Sequence, residues 1–522
     1  MPRFWTNPEF VRHRRAELRP VRAITVAAVV VLMCVLLGLA CWSYQQSILE
    51  QALANASKQG AESIQEGFAR NTWLLLYYWL VGLQGVALTF WTLFSCAQSV
   101  SGERDLKTWE FQRTTRLTSA EILIGKLMGE PILVYFAVLC AAPITLVAGL
   151  AGGLSLGTVI SVFLLLAVTS LLLGLGGMWL STLMESRTRG LGLMGALALY
   201  GITLGMFGMY ESGMPGLAAI SPVAGMIQLL GDESARVPAP VLFGHQISWL
   251  LMGALLCGSF GAWLALMLIR NLKRDYPEIR PLSRWQAIGC AAFLNFLIYA
   301  LLRPTPLKSS AAPGWFTDAG SVALFVVAMN GLILFLMGLA TLTPQERLKV
   351  WRLKRATGES ALFADDGLPW PWLGISAVVA YALMVWGLLA WGHTLPLDMG
   401  TLQAAAIRLL LVLVFVTRDV LFLQWCMLTR LRQPVVKGVL FLCLYYAAAT
   451  VLTALAGVSS EAAERWMLAL LTPVLAFDPE VRGIAFPAAT YAGLALQTGV
   501  IATVLVAISS RLQRPMRAAA AA

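Results

Sequence analysis

The side chains able to do chemistry crowd into one stretch of this 522-residue chain, Ser101–Gly129. Glu103, Lys107 and Glu110 fall at i, i+4 and i+7, so on a helix they share one face with alternating sign. Leu106 and Trp109, at i and i+3, take another face and suit a helix resting on a membrane surface. Thr118, followed three residues later by Glu121, reads as a capping box that opens a new helix. A charged helix beside a membrane and then a sharp re-entry make a docking surface for a soluble partner, not a reaction centre.

Catalytic readings find little support. Gly125-Lys126 hints at a phosphate-binding loop, but Ala120 stands where the first Gly belongs and Leu127 where Ser or Thr belongs. No Walker motif occurs elsewhere, so nucleotide binding by that mechanism is excluded. His13, His245 and His393 are scattered and match no metal or triad spacing. The 8 cysteines fall in or at the ends of apolar runs and form no Cys-x-x-Cys pair, so they read as small apolar side chains. No catalytic residue, cofactor or metal is expected on this chain, and by itself it is not an enzyme.

The elements that must position the loop are membrane helices. The chain is 58% hydrophobic and 12% charged, against about 25% charged in soluble domains. Apolar runs of spanning length recur from end to end. They predict an all-α polytopic protein of about twelve spans, near 23–42, 73–99, 121–150, 156–183, 190–210, 247–269, 285–302, 319–341, 371–391, 403–428, 435–457 and 484–510. With the N-terminus inside, 29 of the 38 Lys and Arg residues fall on inner segments and 7 on outer ones. That bias puts both termini in the cytoplasm. The net charge of +11 therefore reflects topology and not nucleic-acid binding.

Local signals fill in the course of the chain. Residues 1–22 form a basic elbow on the anionic membrane surface, with Asn7 as helix cap and Pro8 at the first helical position. Glu185-Ser-Arg187-Thr-Arg189 joins the fourth and fifth spans inside and offers a second contact for a partner. Leu217–Leu230, broken at Ser221-Pro222, is too short to span and reads as an outer re-entrant hairpin. Glu130 lies four residues after Lys126, spaced for an ion pair. Arg418-Asp419 marks the inner membrane boundary or an internal pair, and Arg408 is expected to snorkel outward.

The loop also resembles the first cytoplasmic loop of ABC-2-type permeases, the membrane subunits of one class of ATP-driven exporters. The match runs through Glu103-Arg104-Asp105, Thr108-Trp109-Glu110, Leu117-Thr118-Ser119, Glu121-Ile122-Leu123, Gly125 and Lys126-Leu127. Lys107 stands where the family usually has Gly, and Arg116 where it usually has Pro. The resemblance implies an exporter permease in the inner membrane, coupled to a cytoplasmic ABC ATPase subunit that carries ATP and Mg. A second permease copy and membrane lipid are its other expected partners. The coupling residues it implies are Glu103, Arg104, Lys107, Trp109, Glu110, Arg113, Glu121 and Lys126, with Glu185 and Arg187 as secondary contacts. On this reading 1–22 is the elbow, 23–270 a six-span ABC-2-like domain, 271–342 two connecting spans, and 343–522 a second, degenerate transmembrane half.

Three features suggest that second copy. Thr343-Pro344-Gln345-Glu346 opens a basic helix much as Asn7-Pro8 does. Residues 417–431 align without gaps with 103–117, matching at Arg104/Arg418, Asp105/Asp419, Thr115/Thr429, Arg116/Arg430 and Leu117/Leu431. Leu471-Thr472-Pro473 parallels Ile220-Ser221-Pro222. Two other classes compete with a permease. An ion-coupled secondary transporter needs broken helices with polar groups at the midplane, and few such groups are present. The other is a polytopic membrane enzyme or scaffold.

Overall fold

The structure, a computed structural model, describes residues 6–55, 58–183, 189–206, 215–223, 226–227, 240–243, 245–273, 282–301, 319–358, 363–390, 399–429, 434–477 and 488–520. The chain divides into two compact units, Met1–Arg274 and Asp275–Ala522.

In the first unit α1 (Pro8–Glu17) starts where Asn7 and Pro8 place it, the Asn7 side chain accepting from the Glu9 N–H. α2 (Pro20–Asn55) and α3 (Lys58–Val86) carry the first two spans beyond the apolar runs. At 1.5 Å per residue α2 is about 54 Å long, against a hydrocarbon core of about 30 Å. Trp42 and Phe68 meet edge to face at 5.0 Å on the overhang. α3 passes through a π turn at Ala87–Trp91 into α4 (Thr92–Asp105). Then come α5 (Trp109–Thr114), α6 (Ser119–Gly129), α7 (Ile132–Ala151), α8 (Leu156–Leu183), α9 (Arg189–Gly205) and α10 (Trp249–Asn271). A 3-10 turn, Pro215–Ile220, precedes Ser221. Val241–Leu242 and His245–Gln246 pair as a two-strand ladder, a small departure from the all-α expectation.

α4 and α8 pack so closely that a side chain at Gly177 would strike the Leu93 carbonyl. Small residues let membrane helices approach in this way. The end of α8 also fixes the end of α4. The Ser181 hydroxyl accepts from the Val100 and Ser101 N–H groups, both at 3.0 Å, and Arg104 Nη1 donates to the Thr182 carbonyl at 3.2 Å.

The second unit holds α11 (Arg284–Leu301), α12 (Ala319–Ala340), α13 (Gln345–Ala356), α14 (Trp370–Ala390), α15 (Met399–Met427), α16 (Pro434–Ser459), α17 (Glu461–Leu471) and α18 (Ala488–Ala520). Among the described residues, ten helices are long and apolar enough to cross a membrane. The other two expected spans are α9, which has 17 residues, and α15, which has 29 and carries buried charges.

Three local readings change here. α13 begins one residue later than its signals placed it, with Pro344 and not Thr343 at the cap position, and no side chain caps it. The Thr343 hydroxyl turns inward, donating to the Gly367 carbonyl at 3.1 Å and accepting from the fully buried Arg284 at 2.9 Å. Arg408 does not snorkel: it is buried. The register between 103–117 and 417–431 has no structural counterpart either. Arg104 lies in the last turn of α4, whereas Arg418 lies nine residues before the end of the unbroken α15. Arg418 and Asp419 form the internal pair, 2.6 Å apart, with Tyr445, Tyr446 and Gln497 completing the shell.

Candidate functional site

The charged loop does not form the continuous helix that its stripe implied. α4 stops at Asp105, and Lys107 has φ 57°. The Thr108 N–H returns to the Glu103 carbonyl at 2.9 Å and the Lys107 N–H to the Arg104 carbonyl at 3.1 Å. This is a Schellman ending, in which the left-handed residue is usually glycine. The family's Gly at this position thus has a physical reason. A Lys-to-Gly change at 107 should relieve about 1 kcal/mol of backbone strain. Thermal unfolding in detergent checks this, with a raised Tm expected.

The break rotates Glu103 away from Lys107 and Glu110, so the three share no face. Glu103 is buried against the fully buried Lys126, whose Nζ lies 2.8 Å from Oε2. Its other oxygen, Oε1, accepts from Gln112 Nε2 and from Arg12 Nη2, both at 2.6 Å. Arg12 also reaches Glu9 at 2.7 Å. Glu9 Oε1 lies 3.5 Å from Lys126 Nζ and 3.3 Å from His13 Nε2. Glu130 closes the cluster, 3.8 Å from Lys126 and 3.7 Å from His13. The sequence-spaced pair Lys126–Glu130 is therefore one edge of a network of six ionisable residues.

Three helices build this latch. α1 supplies Glu9, Arg12 and His13, which share one helical face at i, i+3 and i+4. α6 offers a surface without side chains, because Gly125 and Gly129 sit where α1 crosses it. A Cβ at Gly125 would lie 2.6 Å from the Glu9 Cβ, and one at Gly129 would lie 2.9 Å from His13. The Asn7 side chain spans the crossing, donating to the Glu121 carbonyl at 2.8 Å while its oxygen caps α1. Burial pushes the Glu9 carboxyl upward, but the hydrogen bond from His13 and the charges of Lys126 and Arg12 outweigh it. Glu9 ends below the usual carboxylate range and is ionised at neutral pH. Charges this deep hold together only when all are paired.

The remaining expected residues separate into supports and rim. Trp109 is buried, with the Lys126 ammonium 5.7 Å above its ring. Glu121 closes the capping box with Thr118. The Thr118 N–H and hydroxyl bonds hold its carboxyl below its ordinary value. Lys273 Nζ donates to the Thr115 carbonyl at 3.0 Å and steadies the turn before α6. Glu110 is exposed and pairs with Arg113 at 2.9 Å. Leu106 and Phe111 stand 75% and 76% exposed, with Lys107 between them in sequence. Leu106 and Trp109 thus part company, one outside and one in the core. Glu185 and Arg187 lie outside the described residues.

Sequence reasoning missed Glu9, Arg12, His13 and Gln112. The shared face on α1 and the glycines four apart on α6 were the available signals. Among the described residues no group of three or more His, Cys, Asp or Glu side chains could hold a metal ion. The arrangement offers a rigid internal joint and an exposed, mixed apolar and charged rim, with no nucleophile poised beside a base.

Among the described residues, ten apolar helices of spanning length define a multi-pass membrane protein. Residues 10–230 match the family model described as "ABC-2 type transporter", a stretch that covers less than half of the chain and holds every ionisable latch residue except Glu9. That match bears out the resemblance carried by the loop: residues 10–230 are similar to the membrane component of ABC transporters. No curated protein and no solved structure matches it.

Proposed function

We propose that this permease is driven by a separate cassette-type ATPase that binds ATP and Mg and docks on the rim formed by Leu106, Lys107, Glu110 and Phe111. The substrate moves outward across the inner membrane, both termini lying on the cytoplasmic side, as the positive-inside bias argues. Arg104 and Arg113 brace the rim, and Glu121 holds the turn behind it. Lys126 and Trp109 carry the load inward. Glu185 and Arg187 are secondary contacts for the same ATPase, and the permease works beside a second copy or a related permease.

The observation that carries this reading is the pairing of an exposed apolar rim with a buried joint on adjacent residues. Leu106 and Phe111 face outward, whereas Glu103 and Trp109, on either side of Leu106, are locked into the core. A push on the rim therefore reaches α1 and α6 through Glu103 and Lys126 with little slack, and α6 leads through Pro131 into α7. Apolar side chains at the centre of an interface dominate its energy. Changing Leu106 and Phe111 together to aspartate should cut ATPase co-purification with the tagged permease by roughly tenfold or more. Because neither side chain belongs to the latch, Tm should stay near the wild-type value. Undiminished ATPase recovery would contradict the docking site.

A further inference from the structure

The second unit carries a helix that the transport reading leaves unused. α13 has 12 residues, too few to span, and holds Arg347, Lys349, Arg352, Lys354 and Arg355 against a single Glu346. One face is buried: Leu348 and Trp351 pack with Leu421 and Leu428 of the α15 end and with Ile508 and Leu512 of α18. The opposite face leaves Val350 50% and Leu353 47% exposed with the exposed Lys354 beside them, and the exposed Arg355 stands one turn beyond Trp351. A helix buried on one side that shows both apolar and basic groups on the other suits a plane between hydrocarbon and headgroups.

The guanidinium geometry narrows the ligand. The Arg355 guanidinium lies 5.3 Å from the Trp351 ring centre, and that of Arg511 lies 5.2 Å from the Trp425 ring centre. Trp351 and Trp425 belong to one hydrophobic cluster, so both cations lie against its rings. Arg352 ties the crossing together, donating to the Ser509 carbonyl at 2.5 Å and to its hydroxyl at 3.1 Å. A guanidinium held over a ring keeps N–H groups on its edge, which suits a phosphate. Tryptophan concentrates at the level where spans end, and Trp425 sits in the last turn of α15. The nearby carboxylates are engaged elsewhere: Glu346 lies 3.3 Å from Lys349 and Asp366 lies 3.9 Å from Arg347.

We propose that the surface where α13 meets the ends of α15 and α18 seats anionic phospholipid, with Lys354, Arg355 and Arg511 on the phosphate groups and Val350 and Leu353 against the acyl chains. Charge complementarity commits the surface to this occupant: exposed aliphatic side chains and basic heads stand together on one short helix of a membrane protein. The inference uses only the second unit and does not depend on where an ATPase docks.

The test is hydrogen exchange of peptides covering α13, with the full chain in nanodiscs of phosphatidylcholine alone or with phosphatidylglycerol added. Exchange should slow when phosphatidylglycerol is present. The effect should vanish in Lys354→Gln/Arg355→Gln/Arg511→Gln, each lost charge weakening headgroup affinity by roughly fivefold. It should persist in Arg355→Lys/Arg511→Lys, which keeps the charge. Unchanged exchange of α1 and α6 in the glutamine variant shows that it is folded. If that variant fails to fold, the wild-type comparison of the two lipids decides alone. Equal protection by phosphatidylcholine overturns the proposal, as does equal protection by free glycerol phosphate in detergent. So does protection that appears only when an ATPase is added.

Discussion

Replacing Lys126 with methionine will destabilise the protein by about 3–5 kcal/mol, the cost of removing one member of a buried ion cluster. The ammonium is fully buried and lies within 2.8 Å of Glu103, 3.5 Å of Glu9 and 3.8 Å of Glu130. Methionine matches the aliphatic stem but leaves three carboxylates facing one another, with only Arg12 and His13 in reach. The loss is electrostatic, so it should shrink when a carboxylate is removed as well. Lys126→Met/Glu103→Gln should recover part of the lost stability, because a neutral amide can still accept from Arg12 and Gln112 bonds. Thermal unfolding of the single and double variants in detergent measures this coupling. A double variant no more stable than the additive sum would show that Lys126 acts through packing alone.

Gly125→Ala is expected to have the next largest effect, about 2–3 kcal/mol destabilising, although it adds one methyl group. The new Cβ would sit 2.6 Å from the Glu9 Cβ and 3.0 Å from the Asn7 Oδ1. Both neighbours are close to the backbone of α1, so the helix itself must move. That motion withdraws Glu9, Arg12 and His13 from Lys126 and Glu103 together. Gly102→Ala is the matched control: it lies in α4, and a Cβ there meets nothing within 4 Å. The same chemical change at Gly102 should stabilise by about 0.5–1 kcal/mol through helix propensity. Limited proteolysis at Arg14 and Arg15 reads the detachment of α1. Faster cleavage is expected in Gly125→Ala and wild-type cleavage in Gly102→Ala. Equal cleavage in both would show that α1 is not held at Gly125.

The helices were legible because membrane spans are written in composition, which needs no knowledge of neighbours. Caps were legible because they are local. Asn7 with Pro8 and Thr118 with Glu121 act within a single turn, and each appears where its spacing placed it. The latch was hidden because its partners are far apart in sequence. Arg12 and Glu103 are separated by 91 residues, and nothing in either segment names the other. The stripe Glu103, Lys107, Glu110 misled because periodicity assumes that the helix continues. One left-handed residue at Lys107 ended it and turned Glu103 inward. The departure from the family pattern at that position was the signal, since a usual glycine marks a backbone conformation more often than a contact. The parallel between 103–117 and 417–431 failed for the same reason, because matched letters do not carry matched helix ends.

In the proposed mechanism the rim before and after Trp109 meets a cassette-type ATPase carried on a different chain. Photo-cross-linking in intact cells, with Phe111 replaced by benzoylphenylalanine, tests it most directly. An ultraviolet-dependent adduct is expected, identified by mass spectrometry as an ATP-binding-cassette ATPase, and none when the probe replaces Leu39 on the exposed apolar face of α2. No ATPase adduct at 111, or equal adducts at 39 and 111, would contradict it.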